Sequence, residues 1–145
     1  MVDVRVGQLR RSRDRLELRG DQAANEGDSP TAGLLLFYSA ECGLKAEVLH
    51  QKFRARDTSQ LPKRLRNHDL RALAKELNLP GSAHAALDRC KRTRYGPPSG
   101  SRQAVPAWVG PDDLHQAWRY GADLEPGDEQ RALTALRTLI AETRR

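Results

Sequence analysis

The chain has 145 residues, with 25 Lys and Arg against 19 Asp and Glu, a net charge of +6 that suits a polyanionic partner without requiring one. Its length fits a single domain over 1–145, able to bury about two-thirds of its unfolded surface around one core. Two cysteines, Cys42 and Cys90, are too few for a secreted disulfide framework, and the longest apolar run, Leu34 to Tyr38, is far short of the roughly 20 residues a membrane span needs.

The opening MVDVRVGQLRRSRDR has arginines where a signal peptide needs an apolar run, which implies a cytoplasmic protein with no membrane association. Val2, Val6, Leu9 and Leu16 make a weak helical stripe there, interrupted by Arg13. Ser29 reads as an N-cap, with Pro30 at the first helical position. TAGLLLFYSAECGLKAEVLHQKF follows, apolar almost all round as the central helix of a bundle is, with Cys42 as a small buried hydrophobe. Asn67 or His68 opens DLRALAKELNL, in which Leu70, Leu73, Ala74 and Leu77 share one face, and Pro80-Gly81 ends it. A short helix is expected from about Ser82 to Arg92. Gly96-Pro97-Pro98-Ser99-Gly100-Ser101 cannot be helical, so a flexible loop is expected over 96–110, with Trp108 either an anchor at its tip or folded back on the core.

Pro111 starts the next helix, with Asp112 and Asp113 in its first turn, and Gly121 ends it as a C-cap. Pro126-Gly127-Asp128 restarts the chain into a last helix, striped by Leu133, Leu136, Leu139 and Ile140. No segment alternates as a strand does, and no Asn-Gly or Asp-Gly hairpin signal is present. The expected fold is all-α, an up-and-down helical bundle of about five helices.

Charge is polarised along the chain. Residues 52–66 hold six basic residues and one acid, residues 89–102 hold five basic and no acidic residues, and residues 112–129 hold six acids against Arg119. The basic runs make Lys63, Arg64, Arg66, Lys91, Arg92 and Arg94 candidates for nucleic-acid contact, against the alternatives of a solvated surface or self-association of basic and acidic faces. Neither glycine-rich phosphate loop, nor a nucleophile elbow, nor metal-ligand spacing occurs, so no cofactor and no metal is expected. Glu41 and Lys45, one turn apart on the most apolar helix, read as a structural ion pair, because a carboxylate is costly to bury there unpaired. His68 reads as a residue that caps or packs beside its helix.

Residues 113–125, DLHQAWRYGADLE, crowd His, Trp, Arg and Tyr together. Leu114, Ala117, Trp118 and Gly121 share one face, so Trp118 belongs to the core, where its Nε1–H needs a partner. His115 and Arg119 lie one turn apart on another face, with Asp112 a turn before His115. Such a row could orient an imidazole and bind phosphate, or be three solvated side chains.

The order of these segments resembles the HEPN superfamily of small helical bundles. The resemblance rests on Ala40, Glu41, Lys45 and Ala46 in the central helix, on His68, Asp69, Leu70, Leu73 and Ala74, and on Arg119-Tyr120, and it covers about Ser29 to the C-terminus. It implies a bundle that dimerises, often in prokaryotic defence or toxin–antitoxin systems. Many members are metal-independent ribonucleases whose signature is Arg followed after four to six residues by His. Here the positions after Arg119 where His should stand are Leu124, Glu125 and Pro126, and no His has an Arg at that offset; Lys45 before His50 and Lys63 before His68 are near-misses lacking the guanidinium fork. The expectation is therefore a non-catalytic HEPN-like interaction module, a homodimer or hetero-oligomer with a larger protein, binding protein or RNA. The alternatives are a metal-independent ribonuclease with an unconventional site at His115, Arg119 and Asp112, and an assembly subunit unrelated to nucleic acid.

Overall fold

Residues 2–93 and 107–145 are described by a computed structural model, in which helix α2 (Ser29–Glu47) runs through the middle of the molecule. Helix α1 (Val6–Asn25), the short α3 (Leu70–Glu76), α5 (Leu114–Arg119) and α6 (Pro126–Glu142) all pack against it, as an all-α helical bundle requires. Leu36, Phe37 and Leu44 of α2, Leu73 of α3, Leu114 of α5 and Leu136 of α6 are fully buried and form the core. No helix among the described residues is long and apolar enough to cross a membrane.

Helix α1 buries Leu9, Arg13, Gly20 and Ala23, so Arg13 continues the buried stripe instead of breaking it. Its guanidinium donates from Nη1 to the Thr143 carbonyl at 3.3 Å, while Nε bonds Asp14 at 2.9 Å; its backbone carbonyl accepts from Ser39 Oγ at 2.8 Å. Gly20 lets the helices close up, since a Cβ there would lie 2.9 Å from Leu36 Cγ. The cap of α2 is one residue earlier than Ser29: the Asp28 carboxylate accepts from the Thr31 N–H at 3.2 Å, and Pro30 takes the second helical position. Beyond Glu47 the chain widens into a π-helical turn, Val48–Phe53, which Arg54 ends at φ +47°.

The α2–α3 connection makes two 3-10 turns, Thr58–Gln60 and Lys63–Leu65. Asp69, rather than Asn67 or His68, caps α3 by accepting from the Ala72 N–H at 3.1 Å. The helix expected over Ser82 to Arg92 is only α4 (Gly81–His84). After it, β1 (Cys90–Lys91) pairs antiparallel with β2 (Trp108–Val109), Cys90 opposite Val109 and Lys91 opposite Trp108. Trp108 thus sits in a strand, its ring 4.1 Å from the Arg89 guanidinium carbon, instead of at a loop tip. The remainder of the expected loop, from 96 to 106, lies outside the described residues.

Pro111–Asp113 forms a 3-10 turn before α5, and Gly121 at φ +72° lets the chain leave that helix. Trp118 is buried against α2, so close to Gly33 that a Cβ there would stand 2.3 Å from the indole, and its Nε1–H donates to Glu129 at 3.1 Å. Glu125 caps α6, accepting from the Gly127 and Asp128 N–H groups at 2.9 and 2.7 Å. The Glu125 side chain is thus committed to a helix cap.

Candidate functional site

Three segments converge beside the middle of α2. Tyr38, Glu41 and Lys45, spaced by three and four residues, lie along one face of that helix. His68 is delivered by the residue before the α3 cap, and α5 contributes His115 and Arg119 one turn apart. Glu41 Oε1 is 2.5 Å from His68 Nδ1, and Glu41 Oε2 is 3.7 Å from Lys45 Nζ. A carboxylate can only accept, so Nδ1 of His68 carries the proton in this pair, and Nε2 is the ring nitrogen left for other chemistry.

The His68 and His115 rings are 4.4 Å apart, and the Phe37 ring lies 4.9 Å from that of His115. Tyr38 lies within 6.3 Å of His68 and 6.2 Å of His115. Arg119 donates to the Tyr38 hydroxyl, its guanidinium carbon 5.8 Å from that ring.

Burial divides the roles. His68 keeps 48% of its side-chain surface in solvent, whereas His115 is 3% exposed and its Nδ1 has no hydrogen-bond partner among the described residues. Desolvation holds the His115 pKa below its ordinary value, helped by His68 and Arg119 and opposed by Glu41 and Asp113. His115 is therefore a neutral imidazole near neutral pH. Arg119 is exposed, and its pKa is raised first by the Tyr120 side chain and also by Tyr38. A fixed cation thus stands beside two imidazoles, one reaching water and one walled in.

The expected residues are sorted anew by this geometry. His115 and Arg119 do share one site. Glu41, Lys45 and His68, read from sequence as structural, belong to it as well. Asp112 does not: it lies in the 3-10 turn, lines a separate depression with Asp69, Arg71 and Lys75, and makes no hydrogen bond to His115. Its side chain belongs to another face of the turn, and the carboxylate held against an imidazole is Glu41 on His68.

Of the basic candidates, Arg64 is engaged with Glu76 through two bonds of 3.0 and 3.3 Å, and Arg66 holds the Leu61 carbonyl at 2.8 Å. Lys63 and Lys91 are exposed, Arg92 lines a pocket described below, and Arg94 lies outside the described residues.

Tyr38 escaped the sequence reading. The signal was its polar tip three residues before Glu41 on an otherwise apolar helix. No group of three or more His, Cys, Asp or Glu among the described residues is arranged to hold a metal ion. Fold and site together define a small all-α bundle with a histidine–arginine cluster packed beside its central helix. Comparisons with family models, curated proteins and solved structures returned no match.

Proposed function

We propose that this chain is an HEPN-like RNA-binding module, cytoplasmic and dimeric, that works in a prokaryotic defence or toxin–antitoxin type system. The observation that carries the RNA reading is Arg119, an exposed cation hydrogen-bonded to Tyr38 beside His68 and His115. A guanidinium in that setting fits the charge and geometry of a phosphodiester. The net charge of +6 adds attraction for a polyanion. The experiment is a binding titration of single-stranded RNA at several salt concentrations, with Arg119→Ala beside the unaltered protein. Affinity should fall steeply with salt, as counterion release requires, and Arg119→Ala should weaken binding about tenfold and lessen the salt slope by about one. A salt-independent affinity or none removes RNA from the reading and leaves an assembly subunit.

A second reading, metal-independent ribonuclease, is favoured by the Glu41–His68 pair. A carboxylate that fixes the tautomer of a solvent-reaching imidazole is the arrangement a general base needs. His68 takes the proton of the RNA 2′-hydroxyl, the 2′-oxygen bonds to phosphorus, and the P–O5′ bond breaks as the proton passes to the 5′-oxygen. The products are a 2′,3′-cyclic phosphate and a 5′-hydroxyl, with Arg119 bearing the phosphate charge. Incubation of labelled RNA in EDTA separates the two readings. Cyclic-phosphate ends from the unaltered protein but not from His68→Ala support catalysis, and binding without cleavage supports the non-catalytic module.

A further inference from the structure

A second aromatic feature lies at the other side of α5. Trp108 and Tyr120 are among the few large apolar side chains left exposed, at 42% and 77%, and they line the same pocket. Arg92, Asp113 and Gln116 line it with them. Arg92 has a buried Nε with no hydrogen-bond partner among the described residues. Arg89 packs against the Trp108 ring and adds positive charge beside the pocket.

We propose that this pocket receives one unpaired nucleobase of the RNA whose phosphate lies at Arg119, an inference that rests on the RNA-binding reading. Two exposed aromatic rings offer a face to any base, and stacking of this kind is open only to nucleotides free of a duplex. Hydrogen-bonding groups line the same wall. The Asp113 carboxylate can only accept, so it favours a base edge that presents N–H donors, which guanine does with two neighbouring groups. The Gln116 amide both donates and accepts, and the Arg92 side chain adds a cation to the wall.

Continuity with the first site is covalent: Arg119 and Tyr120 are consecutive, and the Tyr120 side chain acts on the Arg119 guanidinium. A phosphate at Arg119 therefore has a neighbouring nucleotide within reach of the pocket. A protein partner could use Trp108 as an anchor too. However, three lining groups that match a base edge, beside a cation already suited to phosphate, favour a nucleotide.

The test compares short single-stranded RNA with a duplex of the same length, using fluorescence polarisation on the full chain. Trp108→Ala should weaken single-strand binding by roughly 5- to 150-fold and leave duplex binding unchanged, and Trp108→Phe should restore most of the loss. Equal losses on both RNAs, or none on the single strand, overturn the base pocket while RNA binding by the site at Arg119 stands. A second arm uses guanosine, which has no phosphate, at millimolar concentration and follows tryptophan fluorescence. Quenching that disappears in Trp108→Phe supports the pocket even where RNA binding at Arg119 has failed; no change in fluorescence overturns it.

Discussion

Glu41 serves two partners at once: Oε1 holds His68 Nδ1 at 2.5 Å and Oε2 stands 3.7 Å from Lys45 Nζ. The carboxylate is buried on the central helix, where an unpaired charge would be costly, so its neighbours are part of the fold as well as of the site. Glu41→Gln keeps the shape and removes the charge, leaving the half-buried Lys45 ammonium without a counter-ion. The expected loss is about 1–3 kcal/mol, measured by urea denaturation. His68→Ala, at a residue half in water, should lose no more than about 1 kcal/mol. An equal loss in both variants would mean that Lys45 draws little from the carboxylate.

Asp112 offers a contrast. Its spacing on a helical wheel suggests a carboxylate behind His115, but the chain turns as a 3-10 helix over Pro111–Asp113 and carries it to the depression beside Arg71 and Lys75. Asp112→Asn should therefore leave RNA affinity and any cleavage within about twofold of the unaltered protein, while Glu41→Gln lowers them about tenfold or more. The measurement is the titration and EDTA cleavage assay on both variants. A large effect of Asp112→Asn would place that carboxylate back in the site.

Gly33 is where packing, rather than backbone freedom, demands glycine. The Trp118 indole covers it so closely that a methyl group would lie 2.3 Å from a ring atom, and neither α2 nor the buried indole has room to yield. Gly33→Ala should cost about 1–3 kcal/mol, read as a lower urea midpoint with an unchanged slope. Gly81, at the start of α4, meets nothing within 4 Å and has no positive φ. Gly81→Ala should be neutral or stabilise by up to about 1 kcal/mol through the unfolded chain.

What the residue pattern reveals about this fold follows from range. The stripe Leu133, Leu136, Leu139 and Ile140 and the burial of Trp118 are local periodicities and read directly from sequence. The same period puts His115 and Arg119 on one helix face. That Glu41 and His68 join them depends on how the α2–α3 connection folds back, held by Arg66 on the Leu61 carbonyl, which no spacing rule contains. Arg13 looks like an interruption because its carbonyl partner, Thr143, is 130 positions away. The strands Cys90–Lys91 and Trp108–Val109 are two residues each, too short to show alternation. Glu125 has a local role that its place in the sequence does not announce: its carboxylate caps α6.

Acid sensitivity should come first from histidines. His115 and His84 both have pKa values lowered from the ordinary 6.5, each by burial foremost, with His68 acting next on His115 and with Arg71 and Lys75 acting on His84. Above that value both are neutral in folded and unfolded chains alike and contribute no pH dependence. As pH falls below about 6.5 the unfolded chain takes up protons that the folded protein refuses, so stability declines until the folded pKa values are reached. The carboxylates with lowered values, Asp14, Asp28, Asp57 and Glu76, act in a separate window. Their contribution is complete above ordinary values of 3.8 for Asp and 4.5 for Glu, and is lost only as pH falls below them. Urea midpoints should therefore drop between about pH 7.5 and about pH 5.5 without help from carboxylates. His115→Phe, which keeps a ring against Phe37 and cannot take up a proton, should flatten that decline, and combining it with His84→Phe should nearly abolish it. An unaltered slope in the double variant would assign the acid response to groups other than these two imidazoles.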